Sequence, residues 1–198
     1  DDGSQDRTVA YARDFCAQNG LEIVIIQRKA PIGKTPTLKR QSRESASDVE
    51  FILDSDPVLV SANYIERTVQ ELYQAVGIAS ACGNVLSLRR RERKEMMNDP
   101  AMRAFLQTHA DAPVFLTQTF WDRFQMAVMD LYRECLYTFL QRFVYRGQMV
   151  FFGSITHPVG CAVAYRRKYI EELFAHYEPI LGDDLTNSED IFIGFALI

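Results

Sequence analysis

Val49-Glu50-Phe51-Ile52-Leu53-Asp54-Ser55-Asp56-Pro57 is the stretch on which the reading of the fold turns. Val49–Leu53 is almost continuously apolar, which predicts a strand buried inside a sheet rather than a half-wet edge. The run ends abruptly in two aspartates separated by one residue. Carboxylates gathered at a strand end are costly unless something positive sits between them. A divalent cation that also grips a diphosphate meets that need, because Mg²⁺ is usually held by one or two carboxylates plus substrate phosphates. Pro57 follows at once and restricts the backbone of Asp56.

Working outward, the flanks alternate between helical and strand-like patterns. Residues 6–18 read as a helix with Val9, Ala10, Ala12, Phe15 and Cys16 near one face, stopped by Asn19-Gly20. Residues 21–26 form a near-continuous apolar run and predict a second covered strand, broken by Pro31-Ile32-Gly33. Residues 37–46 predict a polar helix, 63–74 another helix, and 76–88 a further strand region. This rhythm implies an α/β fold with a mostly parallel sheet flanked by helices. Ligands of such sheets bind at the carboxyl ends of strands, which is where Asp54 and Asp56 fall.

The second half changes character. Residues 89–94 form a charge run, read as a solvated loop or helix start, with contact to phosphate or anionic lipid as the sharper alternative. Residues 96–109 predict a polar helix interrupted by Pro100, and residues 120–144 one long helix. Along it Phe120, Phe124, Val128, Leu131, Cys135 and Phe139 recur at threes and fours. Met126, Met129, Tyr132, Leu136 and Leu140 form a flanking stripe. So broad an apolar face implies core packing, or a helix laid against a membrane or another segment.

At 198 residues, 47% hydrophobic and 24% charged, the chain has the composition of one globular domain with a core. A net charge of −4 argues against a nucleic-acid partner. Cys16, Cys82, Cys135 and Cys161 form no CxxC pair and read as reduced, buried thiols. His109, His157 and His176 lack ligand spacing. No apolar run approaches the length of a membrane span. The opening motif lacks a preceding strand and the final run is uncapped, so an internal fragment, incomplete at both ends, is the expectation.

Several short motifs carry chemistry. Asp2-Gly3-Ser4 with Asp6 reads as a turn with a helix cap or as part of a binding loop. Gly33-Lys34 before a helix offers a point charge beside amide donors, a plausible phosphate contact although the full P-loop spacing is missing. Further acidic pairs stand at Asp183-Asp184 and Glu189-Asp190. Arg166-Arg167 reads either as a diphosphate contact or as a surface pair at a helix start.

Taken in order, Asp1-Asp2-Gly3-Ser4-x-Asp6, Gly33-Lys34, Leu53-Asp54-Ser55-Asp56, Gly160-Cys161-Ala162-Val163-Ala164-Tyr165-Arg166-Arg167 and Glu189-Asp190 resemble the motif series of family 2 glycosyltransferases. The similarity is greatest to processive cellulose, chitin, hyaluronan and poly-N-acetylglucosamine synthases. It implies a GT-A (Rossmann-like) catalytic domain over residues 1–198. Residues 1–88 would be the nucleotide-sugar half and residues 89–198 the acceptor half. It implies an inverting transfer from a nucleotide-diphospho sugar, expected to be a UDP-sugar, to a saccharide acceptor with Mg²⁺ or Mn²⁺. By the same resemblance Asp2 contacts the base, Lys34 and Asp54 hold the sugar nucleotide, and Asp56 ligates the metal. Gly160, Cys161 and Glu189 face the acceptor, and Asp190 is the general base, with Asp183 and Asp184 as alternatives. The family's first strand and its later Gln-x-x-Arg-Trp motif are missing from the chain. The parent is expected at a plasma or inner membrane, held by segments outside this chain, with the domain cytoplasmic.

Two other readings compete. Asp54-Ser55-Asp56-Pro57-Val58 fits the nucleophile motif of haloacid-dehalogenase-like phosphohydrolases, with Gly182-Asp183-Asp184 as a second metal site. A sugar-nucleotide-binding module without turnover is the non-enzymatic reading.

Overall fold

The computed structural model describes residues 1–112, 119–155, 160–181 and 193, and of residues 178–181 only the backbone. The chain divides into two compact units, one of Asp1–Pro31 with Leu86–Leu136 and one of Ile32–Val85 with Tyr137–Ile198.

The second unit holds the sheet. Its elements are α2 (Lys34–Glu44), β1 (Val49–Leu53), α3 (Tyr64–Leu72), β2 (Ser80–Cys82), β3 (Ala162–Arg166) and α8 (Arg167–Leu181). β1 has the bounds of the predicted strand, but it lies at the edge of the described sheet and none of its residues is buried, so the expectation of a strand covered inside a sheet is not met. The strand order is β1-β3-β2, and both pairings are antiparallel. This corrects the expectation of a mostly parallel sheet: among the described residues, the last strand in sequence inserts between the first two and runs against both. The register alternates. Arg167 and Asp54 donate their amides to Asp48 and Cys161 on the β1 side, while Arg166 donates to Ala79 on the β2 side. Odd-numbered residues of β3 therefore bond to β1 and even-numbered ones to β2.

β3 is buried from Ala162 to Tyr165, and α8 follows it without a break. Val163, Tyr165, Ile170, Leu173, Phe174 and Ile193 pack with Leu38 of α2 as the core, with Ile52 and Cys82 at its margin. Arg166 and Arg167 serve this architecture. The Arg166 guanidinium donates to the carbonyls of Leu72, Ala75 and Ile78, where α3 ends, and lies over the Tyr73 ring. Arg167 donates to the carbonyls of Ser42 and Ser47 and pairs with Glu171. The diphosphate role entertained for this pair is replaced by capping of backbone carbonyls.

The first unit contains α1 (Thr8–Gln18), α4 (Arg90–Met97), α5 (Pro100–Thr108) and the greater part of α6 (Phe120–Phe139). α1 starts at Thr8 because Asp6 turns its carboxylate onto the Thr8 amide at 2.9 Å; hydrogen bonding from the Thr8 side chain first, and from this amide second, lowers the Asp6 pKa. Pro100 does not interrupt a helix: it opens α5 at a position that needs no N–H, capped by Asp99. Val9 and Phe105 are buried here, with Tyr11 and Phe15 edge-on to Phe105. His109 stacks on Phe105 and faces Asp14 at 3.0 Å.

Three expectations fail in instructive ways. Residues 21–26 form no assigned strand, and Leu21, Ile23, Val24 and Ile26 are at least half exposed. A trace of parallel pairing is nevertheless present. The Asp1 amino group donates to Ile26 O at 2.9 Å and the Arg28 amide to Asp1 O at 3.2 Å, the two-bond signature of a parallel bridge centred on Gln27. The long helix is α-helical to Phe139, π-helical over Leu140–Tyr145, and α-helical again in α7 (Arg146–Phe152). Its apolar stripe is not core: Phe120 is 73% exposed, Phe124 54% and Leu131 63%. The polar stripe faces inward instead, with Asp130 on Arg93 and Ser87 and Glu134 on Arg89. The four cysteines are free, but none is buried. Among the described residues no helix is long and apolar enough to cross a membrane.

Arg166→Lys should cost about 2 kcal/mol of stability in urea melts, since an ammonium cannot reproduce a fork on three carbonyls. Glu50 gives a pH test. Burial raises its pKa, with Arg167 opposing and Glu171 reinforcing, and its Oε1 has no hydrogen-bond partner. A raised native pKa favours the folded chain below the unfolded value and loses that advantage as pH rises. Glu50→Gln should therefore raise the melting temperature at pH 7, with the gain vanishing below the ordinary carboxylate range.

Candidate functional site

Among the described residues, the sequence-predicted positions Lys34, Asp54, Asp56, Gly160 and Cys161 of the second unit lie toward one end of the sheet. Lys34 opens α2 and reaches back to Asp54, just past β1, with Nζ 2.8 Å from Oδ1. Both side chains are about one-third exposed, at 33% and 34%, so the pair is accessible to a ligand. The Asp54 amide donates to Cys161 O at 2.9 Å, extending the β1–β3 ladder by one step and fixing where the Asp54 side chain starts. Asp56 follows on an exposed bend.

Cys161 lies within the electrostatic reach of both aspartates. Its thiol pKa is raised by burial first, then by the Asp54 and Asp56 carboxylates, with a smaller contribution from Cys82. The shift favours the protonated thiol. Gly160 precedes it in the turn leading into β3. Lys34, Asp54, Asp56, Gly160 and Cys161 therefore form one cluster.

Asp2 belongs to the first unit and has its own setting. The Asp1 carboxylate accepts from the amides of Gly3 and Ser4, and Asp2 pairs with Arg28 at 3.1 Å. Gly3 has φ +90°, and a Cβ there would lie 3.1 Å from Pro31 N and 3.2 Å from Ala30 C. The turn therefore requires glycine, because it lies directly on the backbone of residues 30–31. Asp183, Asp184, Glu189 and Asp190 lie outside the described residues.

Two residues at the cluster escaped the sequence reading. Tyr64, the first residue of α3, sends its hydroxyl between the ends of β2 and β3. Gly83 leaves space for that ring: a Cβ there would come within 2.4 Å of Tyr64 Cε2. Glycine just past a strand is a recognised mark of close approach, but its partner is not legible from spacing.

The donor set suits a hard cation. Asp54 and Asp56 are carboxylates, the donor type that suits such a cation, and among the described residues no three His, Cys, Asp or Glu side chains converge on a metal position. A protein offering two carboxylates and no cage fits Mg²⁺ or Mn²⁺ whose remaining ligands come from a diphosphate and water.

The model of the family described as Glycosyl transferase family 2 matches residues 1–174. The chain belongs to that family: it is a glycosyltransferase of the α/β GT-A class, acting between a nucleotide-sugar donor and an acceptor. Enzymes of this family commonly use a divalent metal. Comparison with curated proteins and with solved structures gave no match. The family match leaves the phosphohydrolase reading of Asp54-Ser55-Asp56 without support.

Asp54→Asn and Asp56→Asn should each speed alkylation of Cys161 by iodoacetamide at pH 8, read by peptide mass spectrometry. Removing either charge lowers the thiol pKa and enlarges the thiolate fraction. Asp54→Asn should have the larger effect, and the burial contribution should remain in both.

Proposed function

We propose that the chain catalyses inverting transfer of a sugar from a UDP-sugar to a saccharide acceptor, within polysaccharide synthesis of the processive-synthase kind. The observation that carries this reading is the Lys34–Asp54 pair with Asp56 beside it at the mouth of the sheet. An ammonium and two carboxylates at one strand end suit a metal–diphosphate. The chemistry a bound Mg²⁺ or Mn²⁺ supplies is neutralisation of charge on the leaving diphosphate.

The chain's own residues divide the remaining work. Asp56 holds the cation. Lys34 shifts part of its charge from Asp54 to a phosphate oxygen when the donor enters, freeing Asp54 to bind the sugar nucleotide. Asp2 reads the base, its orientation set by Arg28. Gly160 and Cys161 line the acceptor side, where a small protonated thiol neither repels a hydroxyl nor attacks the donor. Glu189 helps seat the acceptor. Asp190 takes the proton of the attacking hydroxyl, with Asp183 and Asp184 as the alternative bases. The parent is held at a membrane by other segments, with this domain on the cytosolic side.

Release of UDP from UDP-glucose, UDP-N-acetylglucosamine and UDP-galactose, with Mg²⁺ or Mn²⁺ and a panel of oligosaccharides, tests the reaction. Asp190→Asn should lower turnover by about 10²- to 10⁴-fold, the usual worth of a general base, while UDP binding stays within about twofold. Full turnover in that variant would move the base to Asp183 or Asp184. Asp56→Asn should instead abolish the metal dependence of UDP binding, read by calorimetry with and without Mn²⁺.

A further inference from the structure

The β2–β3 ladder is interrupted at a definite place. Because Arg166 bonds to Ala79, the next hydrogen-bonded pairs along these antiparallel strands are Ala81 with Ala164 and then Gly83 with Ala162. The last of these is not made directly. The Gly83 amide donates to the Tyr64 hydroxyl at 2.7 Å, and that hydroxyl donates to the Ala162 carbonyl at 2.9 Å. A phenol thus stands where a direct amide–carbonyl bond would be, using its one donor and one acceptor site. The ring is placed from two sides, edge-on to Phe51 with centroids 5.9 Å apart, and over the face that Gly83 leaves bare.

The interruption falls one residue from the candidate site. Ala162 follows Cys161, whose carbonyl is held on the other side by the Asp54 amide. The start of β3 is therefore fixed from both flanks, by Asp54 through Cys161 and by Tyr64 through Ala162. Beyond Gly83 the strands part, leaving Gly160 and Cys161 without a β2 neighbour in register.

We infer that Tyr64 is a positioning residue. Its hydroxyl buckles the parted ends of β2 and β3 and so sets Gly160-Cys161 against Asp54 and Asp56. This rests on the donor-site reading above. Tyr64 touches no substrate in this scheme; it acts through the backbone that carries the site.

Tyr64→Phe keeps the ring and removes the bridge. Hydrogen exchange at the Gly83 amide should quicken by about fivefold or more, the worth of one ordinary hydrogen bond. The donor KM, measured with whichever of the three UDP-sugars the wild type turns over fastest, should rise about fivefold with kcat within about twofold, the pattern of lost ground-state positioning. The affinity for UDP with Mn²⁺ should fall in parallel. Gly83→Ala, which expels the ring from the opposite side, should give the same KM rise if the phenylalanine variant folds poorly. Unchanged Gly83 exchange in Tyr64→Phe would mean the strands pair directly without the phenol, overturning the inference. So would faster exchange with an unchanged donor KM and unchanged UDP affinity. If Asp56→Asn binds UDP with Mn²⁺ as tightly as wild type, it is the donor-site reading that falls, and Gly83 exchange alone then decides whether the buckle exists.

Discussion

The structure depends on the double pairing of β3. A strand buried from Ala162 to Tyr165 must place every amide and carbonyl, because an orphaned buried group costs as much as a hydrogen bond is worth. β3 does so by alternation, odd residues toward β1 and even residues toward β2. The site occupies the end where this arrangement runs out. Asp54 takes the last bond on one side, and a tyrosine hydroxyl substitutes for the next bond on the other. Gly160 and Cys161 of the candidate site therefore lead directly into this doubly paired strand, and Asp54 is bonded to it through its amide.

Much of this was legible in the chain. Val49–Leu53 read as a strand because a short, almost continuously apolar run bounded by turn residues has few other uses. The helix expected over residues 63–74 is α3 (Tyr64–Leu72), and the one expected from residue 120 starts there as α6. The residue types of the site were also visible, since two aspartates after a strand and a lysine after a glycine carry charge that an ordinary turn does not need. The Lys34–Asp54 pair itself was not visible, because nothing in the spacing says that the start of α2 folds back to the end of β1.

The misreadings have a common physical origin. An apolar run states what a segment is suited to bury, not whether a cover is present. Residues 21–26 and the stripe along α6 were both read as covered, and both are largely exposed among the described residues. Sheet direction failed for a related reason: an alternating pattern of helices and strands favours parallel crossovers, but it cannot report that a strand some eighty residues later will enter between β1 and β2. The Tyr64–Gly83 contact is harder still. It joins a helix start to a strand end, and only the glycine leaves a mark in sequence.

The inward polar stripe of α6 has a consequence for how that helix stays in place. Asp130 and Glu134 reach Arg93 and Arg89 across a seam made of charges and not of packed methyl groups. Attraction of this kind weakens as ionic strength rises, most for the exposed Arg89–Glu134 pair and least for the shielded Arg93–Asp130 pair. Burial around β3 responds the other way, since salting-out ions strengthen it. The charged seam of α6 and the apolar burial around β3 therefore answer sulfate or phosphate buffers with opposite signs.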